Sequence, residues 1–240
     1  MSLQRFVGAL SARRQPPFLR RRAAIARRFL KGSGVEIGGL NAPLDVPGSA
    51  QVRYVDRASV EELREHYPEL AGQSLVEPDI LDDGERLGTI GDGVEDFVIA
   101  NHFLEHCQNP IGALENMLRV LKPGGVLYLA IPDKRFTFDK ERPVTTIEHL
   151  LEHADNGGDV DRRAHFEEWV TLVDGVRGEA AVAERVETLM ERDYSIHYHV
   201  WTQAELLELL VLLGDRGHDF DVELAVRNEH ENIFVLRKGR

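Results

Sequence analysis

Residues 94–106 read Val-Glu-Asp-Phe-Val-Ile-Ala-Asn-His-Phe-Leu-Glu-His, and this stretch, with the helix and strand after it, decides the fold. Residues 97–100 form a short apolar run, typical of a strand buried on both faces. Asn109-Pro110 then begins a helix, because Asn suits the N-cap and Pro the first turn. Apolar residues recur at intervals of three and four positions along that helix, and Lys122-Pro123-Gly124-Gly125 ends it. Residues 126–131 read as the next buried strand.

This β-α-β pattern predicts two parallel strands joined by a right-handed helical crossover. Sheets of this kind bind their ligands at the carboxyl ends of the strands. Asn101, His102 and Asp133 directly follow the two apolar runs. We therefore expect these three side chains at the functional edge of the sheet.

The stretch 96–106 together with 119–125 (Arg-Val-Leu-Lys-Pro-Gly-Gly) resembles the fourth and fifth strands of class I S-adenosylmethionine-dependent methyltransferases of the type 11 kind. The resemblance covers residues 34 to 133 and, more weakly, the C-terminal hairpin. It implies an α/β, Rossmann-like fold: a doubly wound, seven-stranded, mostly parallel sheet with an antiparallel C-terminal hairpin. It also implies S-adenosyl-L-methionine as the cofactor.

The composition is that of an ordinary globular protein of 240 residues, with 42% hydrophobic and 29% charged residues. The single cysteine, Cys107, excludes an internal disulfide and a four-cysteine zinc site and favours a reducing, cytoplasmic location. The formal net charge is -12, although nine of the 29 basic residues lie between Arg5 and Lys31. The rest of the chain is therefore strongly acidic, which argues against nucleic acid as its main ligand. No apolar run is long enough for stable membrane insertion.

Residues 1–33 are predicted to be a basic N-terminal helical segment, and residues 34–240 the main domain. The segment 18–30 has an apolar stripe at helical spacing, and Gly32 stands where a C-terminal cap would. We expect this helix to pack on the domain or over the cofactor cleft with solvated arginines. An anionic membrane contact or a targeting peptide are the alternatives for an arginine-rich, acid-free segment.

The resemblance implies a cofactor site built from the ends of the first four strands. Glu36, Gly38 and Gly39 match the first glycine-rich motif, but Leu-Asn-Ala replaces the glycines usual after it, and Pro43 excludes a regular helix there. An acid at the end of the second strand, Asp56, can accept both ribose hydroxyls. A third strand is expected within 75–80. The predicted cofactor-binding residues are Glu36, Gly38, Gly39, Asp56, Asp79, Ile80, Asn101, His102 and His106.

Residues 134–200 are too long for a simple connection and are predicted to form a helical cap insertion that holds the acceptor. Helices are expected over 146–153, 163–173 and 179–192, with breaks at Asn156-Gly157-Gly158 and at the glycines 175 and 178. The cap is rich in histidine and in aromatic residues, which suit a partly wet pocket. An acceptor that loses a proton needs a base. The predicted candidates are His102 and Asp133 at the rim and His165, His197 and His199 in the cap.

Two H-x-x-E-H patterns begin at His102 and His149 and raise the alternative of a zinc hydrolase. A divalent ion that orients the acceptor is a second metal hypothesis. Spacing identifies no third ligand for either pattern, so no metal-binding residues are predicted.

The predicted function is methyl transfer from S-adenosylmethionine to an oxygen or nitrogen of a small molecule, such as a sugar or natural product. Two alternatives stay open: an NAD-dependent oxidoreductase and a non-catalytic ligand-binding or scaffold protein on the same fold. The glycine turn departs from G-x-G-x-x-G, which argues against the first of these. The expected partner is the small-molecule acceptor, with no nucleic acid, and a homo-oligomer stays open.

Overall fold

The computed structural model describes residues 16–67, 70, 72–156 and 161–240. Three sequence predictions concern positions outside these residues. They are the first fifteen residues of the basic segment, the break at Gly157-Gly158, and Pro68, where the sequence predicts the end of a helix that begins with an S-x-x-E capping box at Ser59.

A seven-stranded mixed sheet forms the centre of the molecule, with the strand order β3-β2-β1-β4-β5-β7-β6. The first five strands pair in parallel, and β7 is antiparallel to both of its neighbours. This confirms the predicted methyltransferase-type sheet and its C-terminal hairpin. The strands are β1 (Gly32–Ile37), β2 (Ala50–Asp56), β3 (Ile80–Leu81), β4 (Glu95–Asn101), β5 (Leu121–Pro132), β6 (Phe220–Asn228) and β7 (Glu231–Lys238).

The predicted β-α-β unit consists of β4, helix α3 (Pro110–Val120) and β5. The Asn109 side chain accepts a hydrogen bond from the Gly112 N–H at 2.9 Å, so it caps the helix as expected. Strand β5 begins at Leu121, five residues earlier than the apolar run predicts. A shift in the β4–β5 register lets Leu121 pair with Glu95 ahead of the regular ladder, which explains the longer strand.

Strand β4 buries both of its faces. Val98 and Ala100 belong to a core that contains α3, whereas Phe97 and Ile99 face a second core on the opposite side of the sheet. Helix α1 (Pro17–Phe29) contributes to this second core. Helices therefore cover both sides of the sheet, as the near-continuous apolar run predicts.

Helix α1 packs on the sheet with its apolar stripe, but two details differ from the prediction. Arg22 is buried rather than solvated, because it forms an ion pair with Glu231. Gly32 is not a helix cap: α1 ends at Phe29, and Gly32 begins β1 with a φ of 83°. A Cβ at Gly32 would lie 2.3 Å from the Asp96 carboxylate, so this position has no room for a side chain.

The predicted third strand is also displaced, since only Ile80–Leu81 pairs with β2. The preceding segment makes isolated backbone contacts instead, from the Val76 N–H to the Leu40 carbonyl and from the Asp79 N–H to the Tyr54 carbonyl. Pro78 has no N–H for a regular ladder. No helix forms in residues 38–49, in agreement with the exclusion at Pro43.

The remaining helices are α2 (Val60–His66), α4 (Ile147–Asn156), α5 (Arg162–Leu172), α6 (Glu179–Glu191) and α7 (Gln203–Asp215). Capping boxes begin α2 at Ser59 and α7 at Thr202, as S-x-x-E and T-x-x-E predict. Side chains of α5 and α6 pack with Ile196 and Tyr198 in a third core. Among the residues described, no helix combines the length and apolar character needed to cross a membrane.

Candidate active site

The carboxyl ends of β1, β2 and β4 bring three predicted cofactor-binding residues together. Ile37, the last residue of β1, pairs with Val55 of β2 on one side and Ala100 of β4 on the other. Asp56 and Asn101 are the next residues of those strands and end them, while Gly38 follows β1. All three therefore lie at one edge of the sheet, where parallel sheets bind their ligands.

The two glycines of the first turn have different roles. Gly38 has a φ of 63°, a conformation that a residue with a Cβ adopts at a cost. A Cβ there would meet no heavy atom closer than the Phe103 ring at 4.0 Å, so the backbone is open to a ligand. At Gly39 a Cβ would lie 3.0 Å from the Tyr54 ring and 3.1 Å from Val76. Gly39 therefore serves packing.

Glu36 is a buried carboxylate directly beneath this edge. Its two oxygens accept from the Leu44 N–H at 3.0 and 3.1 Å, and the Asn101 amide donates to Oε1 at 3.3 Å. Burial raises the pKa of Glu36 to about 7 despite these hydrogen bonds. The Asn101 Oδ1 is buried and finds no hydrogen-bond partner within the described part of the chain. A donor on a bound ligand would satisfy this oxygen, so the residues at the edge suit a polar cofactor.

The Asp56 carboxylate is held by the turn that follows β2: its Oδ1 accepts from the Arg57 N–H at 2.8 Å, and the Ala58 N–H also donates to the carboxylate. Partial burial raises the pKa of Asp56. Asp79 is exposed and its Oδ2 accepts from the Tyr54 N–H at 2.8 Å, which ties the segment before β3 to β2. Ile80 is half-buried in β3 beside Val55. Predicted cofactor residues thus lie at or just after the ends of β1, β2 and β4, and at the start of β3.

His102 follows β4 in a left-handed conformation, with a φ of 51°. Its Nε2 lies 2.9 Å from Oε2 of Glu231, a fully buried carboxylate that also accepts from Arg22 and Asn228. These hydrogen bonds and the charge of Arg22 outweigh burial and lower the pKa of Glu231 to about 2. An ionised Glu231 can only accept, so the Nε2 of His102 carries the proton. Neutral His102 therefore has its lone pair on Nδ1.

Glu105 is a second buried carboxylate, and neither of its side-chain oxygens has a hydrogen-bond partner among the residues that the structure describes. The His102 Nδ1 is 3.8 Å from Glu105 Oε1, and the His197 Nε2 is 4.0 Å from the same oxygen. Burial raises the pKa of Glu105. An unpaired buried carboxylate between two imidazoles can hold or accept a proton, as catalytic carboxyl groups do. The acid stands in the H-x-x-E-H pattern, although sequence reasoning did not select it.

His197 is oriented by a buried ion pair. Its Nδ1 lies 2.7 Å from Asp139 Oδ2, and the other oxygen of Asp139 accepts from Arg142 at 3.0 Å. Burial opposes ionisation of Asp139, but the hydrogen bonds from His197 and Arg142 outweigh it and lower the pKa of Asp139. His106 packs edge-on against His197, with ring centroids 4.7 Å apart, and its Nδ1 is 2.9 Å from the Ile196 carbonyl. Burial lowers the pKa of His106 to about 3, so it is neutral.

The other three predicted bases lie in different surroundings. Asp133 is fully buried, forms an ion pair with Arg135 at 2.6 Å and accepts from Asn232 at 3.3 Å. These partners outweigh burial and lower the pKa of Asp133, which makes it a weak base. His199 is fully buried and stacks on Trp201.

His165 lies on α5 among histidines of α4. The His199 backbone N–H donates to the Glu105 carbonyl at 3.3 Å. Among the contacts found between described residues, neither the His165 ring nor the His199 ring forms an ion pair or hydrogen bond with the Glu105 carboxylate.

Two cavities flank the helical region. The larger, of about 610 Å³, is lined by residues of 83–86 and of the start of α3, together with Arg162 and Asp193. Gly38, Asp56 and Asn101 are not among its lining residues. The smaller cavity, of about 300 Å³, is bordered by residues 143–146, α4, α5 and Tyr198.

Comparison with known proteins agrees with this architecture. The profile of a family described as a methyltransferase domain matches residues 23–214. No curated protein matches the sequence significantly.

Three solved structures illustrate the similarity of fold. A candidate zinc-dependent alcohol dehydrogenase of Rhodobacter sphaeroides is 17% identical with a TM-score of 0.56, covering 92% of this chain and 90% of that one. A chain of the complex between the Haloferax volcanii Trm112 methyltransferase activator and a candidate methyltransferase is 15% identical (TM-score 0.52, covering 93% and 90%). A candidate methyltransferase of Bacillus halodurans is 16% identical (TM-score 0.51, covering 92% and 99%). At these identities the similarity concerns the fold alone.

Proposed function

Because this chain belongs to the S-adenosylmethionine-dependent methyltransferase family that its residues 23–214 match, we propose that it methylates an oxygen or nitrogen of a small polar molecule, such as a sugar or natural product. The observation that carries the proposal is the position of His102 between two buried carboxylates. Its Nε2 is held by Glu231 at 2.9 Å, and its Nδ1 lies 3.8 Å from Glu105.

The cofactor fits the sheet edge. Asp56 would accept the ribose hydroxyls, Asn101 and Glu36 would bind the amino-acid part, and the backbone at Gly38 would permit close approach. When bound, S-adenosylmethionine supplies a methyl group that its positive sulfur makes electrophilic. The chain's own task is then to align the acceptor and to remove its proton, and alignment supplies most of the acceleration.

His102 is the proposed proton acceptor. Its Nδ1 lone pair is available because Glu231 fixes the proton on Nε2, and a proton taken up at Nδ1 is stabilised by the neighbouring Glu105. A neutral imidazole whose tautomer is fixed in this way is a common general base in enzymes. His197, held by Asp139, is the second imidazole that contacts Glu105 and is retained as a positioning residue.

An exposed aromatic surface beside these groups supports a small, ring-containing acceptor. Phe138 is 55% exposed, and its ring centroid lies 4.9 Å from that of His197. Trp169 packs against both rings. Such a platform suits the face of a sugar or of an aromatic natural product. Residues 134–200 are accordingly proposed to be the acceptor-binding cap. The cytoplasm is the proposed compartment, since the only cysteine is free and buried.

Two measurements test this proposal. Calorimetry with S-adenosylmethionine, S-adenosylhomocysteine and NAD should show binding of the first two and none of NAD. Incubation with methyl-labelled S-adenosylmethionine and panels of sugars, hydroxylated aromatics and amines should then transfer label to a small molecule. Label found only on protein or nucleic acid would contradict the proposed acceptor class, and NAD binding would contradict the enzyme class.

The variant His102→Asn tests the base, because Asn tolerates the left-handed conformation. It should lower turnover at saturating cofactor on the order of 10²-fold or more. His218→Asn, which removes an imidazole paired with Glu115 away from this site, is the matched control. Full turnover in His102→Asn would exclude His102 as the base.

A further inference from the structure

Four side chains of α4 and α5 point their ligand atoms at one another. They form a group with one donor atom each, all within 4.8 Å of one another. We call this group the α4–α5 cluster, and its members are His149, His153, Asp161 and His165.

The local sequence explains why the cluster forms. His149 and His153 stand four residues apart on α4 and share one helix face. Asp161 occupies the N-cap position of α5, and His165 lies four residues after it. The two helices therefore each present a pair of ligand-type side chains, and their packing joins the pairs.

Four of the six distances between the ligand atoms are close to those around a tetrahedral ion. The Nε2 atoms of His149 and His165 are 3.3 Å apart, and those of His165 and His153 are 3.5 Å apart. Asp161 Oδ1 lies 2.8 Å from the His153 Nε2 and 3.1 Å from the His165 Nε2. Zinc with ligands at about 2.0–2.1 Å in a tetrahedron separates its ligand atoms by about 3.3 Å.

The second ring nitrogen of His153 is held as that of a metal ligand usually is. Its Nδ1 lies 2.8 Å from the Gln108 carbonyl, which can only accept, so Nδ1 donates to this carbonyl. Nε2 is then on the side of Asp161 Oδ1 and of the His165 ring. A histidine whose far N–H donates to a carbonyl is the usual metal ligand.

The surroundings of the cluster suit a metal ion. His153 and His165 are buried, and so is the Asp161 Oδ1 atom, so an ion between them would be shielded from water. Three imidazoles and one carboxylate are a ligand set that zinc accepts.

We propose that the α4–α5 cluster binds one zinc ion, which fastens α4 and α5 to each other. With four protein ligands the site is closed, as structural zinc sites are. Through His153 and the Gln108 carbonyl the ion also ties both helices to the segment between Glu105 and α3. His149, Asp161 and His165 border the 300 Å³ cavity, so the zinc fixes one wall of it. This site does not support the zinc hydrolase alternative, because Glu152, the acid of the H-x-x-E-H pattern, does not belong to the α4–α5 cluster.

Metal analysis of the full chain, purified without a metal-affinity tag, tests this proposal independently of methyl transfer. We expect about one zinc per chain, and after chelation and loading with Co²⁺, the intense visible absorption of a four-coordinate ion. His149→Asn removes the most exposed histidine of the cluster and should weaken zinc affinity on the order of 10²-fold. His218→Asn is the matched control and should bind zinc as the wild type does.

A second readout uses the wild-type chain alone and needs no folded variant. Diethylpyrocarbonate should modify His149 in the chelated chain, and zinc should protect it while His218 stays reactive. A chain that binds neither zinc nor Co²⁺ would overturn the proposal. So would zinc binding that His149→Asn leaves unchanged, or equal modification of His149 with and without zinc.

Discussion

Replacing Glu231 with glutamine should destabilise the fold by about 3 kcal/mol at pH 7. Glu231 has no exposed surface. Its Oε1 accepts a hydrogen bond from the Arg22 Nε at 2.8 Å, which joins α1 to the sheet. Its Oε2 lies 2.9 Å from the His102 Nε2. These contacts lower its pKa from an ordinary 4.5 to about 2. Each unit of pKa shift corresponds to about 1.36 kcal/mol, so the ionised carboxylate contributes about 3 kcal/mol to the free energy of unfolding. Removing one partner of a buried pair costs a similar amount.

The sign of the pH dependence follows from the lowered pKa. The contribution of Glu231 is fully present above about pH 4.5 and is lost as the pH falls toward about 2. Urea unfolding followed by circular dichroism at a series of pH values measures it. Glu231→Gln should lie about 3 kcal/mol below the wild type at pH 7, with the gap narrowing in acid.

The control is Glu223→Gln, which breaks a partly exposed pair with Arg237 and should cost under about 1 kcal/mol. A Glu231→Gln protein as stable as this control at pH 7 would refute the reasoning.

Three further predictions concern the cofactor edge. Asp56→Ala should weaken binding of S-adenosylhomocysteine about 10- to 100-fold, measured by calorimetry, whereas the control Asp45→Ala should not change it. Equal affinities of the two variants would contradict the proposed contact of Asp56 with the ribose. Burial raises the pKa of Glu36 to about 7, so its contribution lowers stability as the pH rises from about 4.5 to about 7. Glu36→Gln should therefore make the free energy of unfolding less dependent on pH between about 4.5 and about 7. An unchanged pH dependence would argue that burial does not raise the pKa of Glu36. Gly38→Ala should cost about 1–2 kcal/mol of stability because of its positive φ, with Gly48→Ala near neutral in the same urea titration.

The fold was predictable where local chemistry and burial agree. The apolar run in β4, the Asn109-Pro110 start of α3 and the capping boxes of α2 and α7 each depend on residues close in sequence. Strand β3 and the early start of β5 were not predictable from apolar periodicity. Backbone pairing across strands decides both, and Leu121 pairs with Glu95 through a register shift that no local pattern reveals.

The candidate site was predictable at the strand ends and much less so in the cap. Strand order places Asp56 and Asn101 beside Gly38 without reference to side chains. Pairs of residues far apart in the sequence were not predictable. Glu231 forms an ion pair with Arg22, 209 residues away, and the sequence did not indicate this pairing. The histidine pattern at His149 lacked a third ligand by spacing, because its partners stand on another helix.

A crystal structure of the chain with S-adenosylhomocysteine would show directly whether the cofactor binds at the carboxyl ends of the strands. We expect density over the open backbone at Gly38, with ribose hydroxyls within hydrogen-bond distance of Asp56 and the amino-acid part near Asn101. Density bound elsewhere, or an edge filled by side chains under saturating ligand, would contradict it.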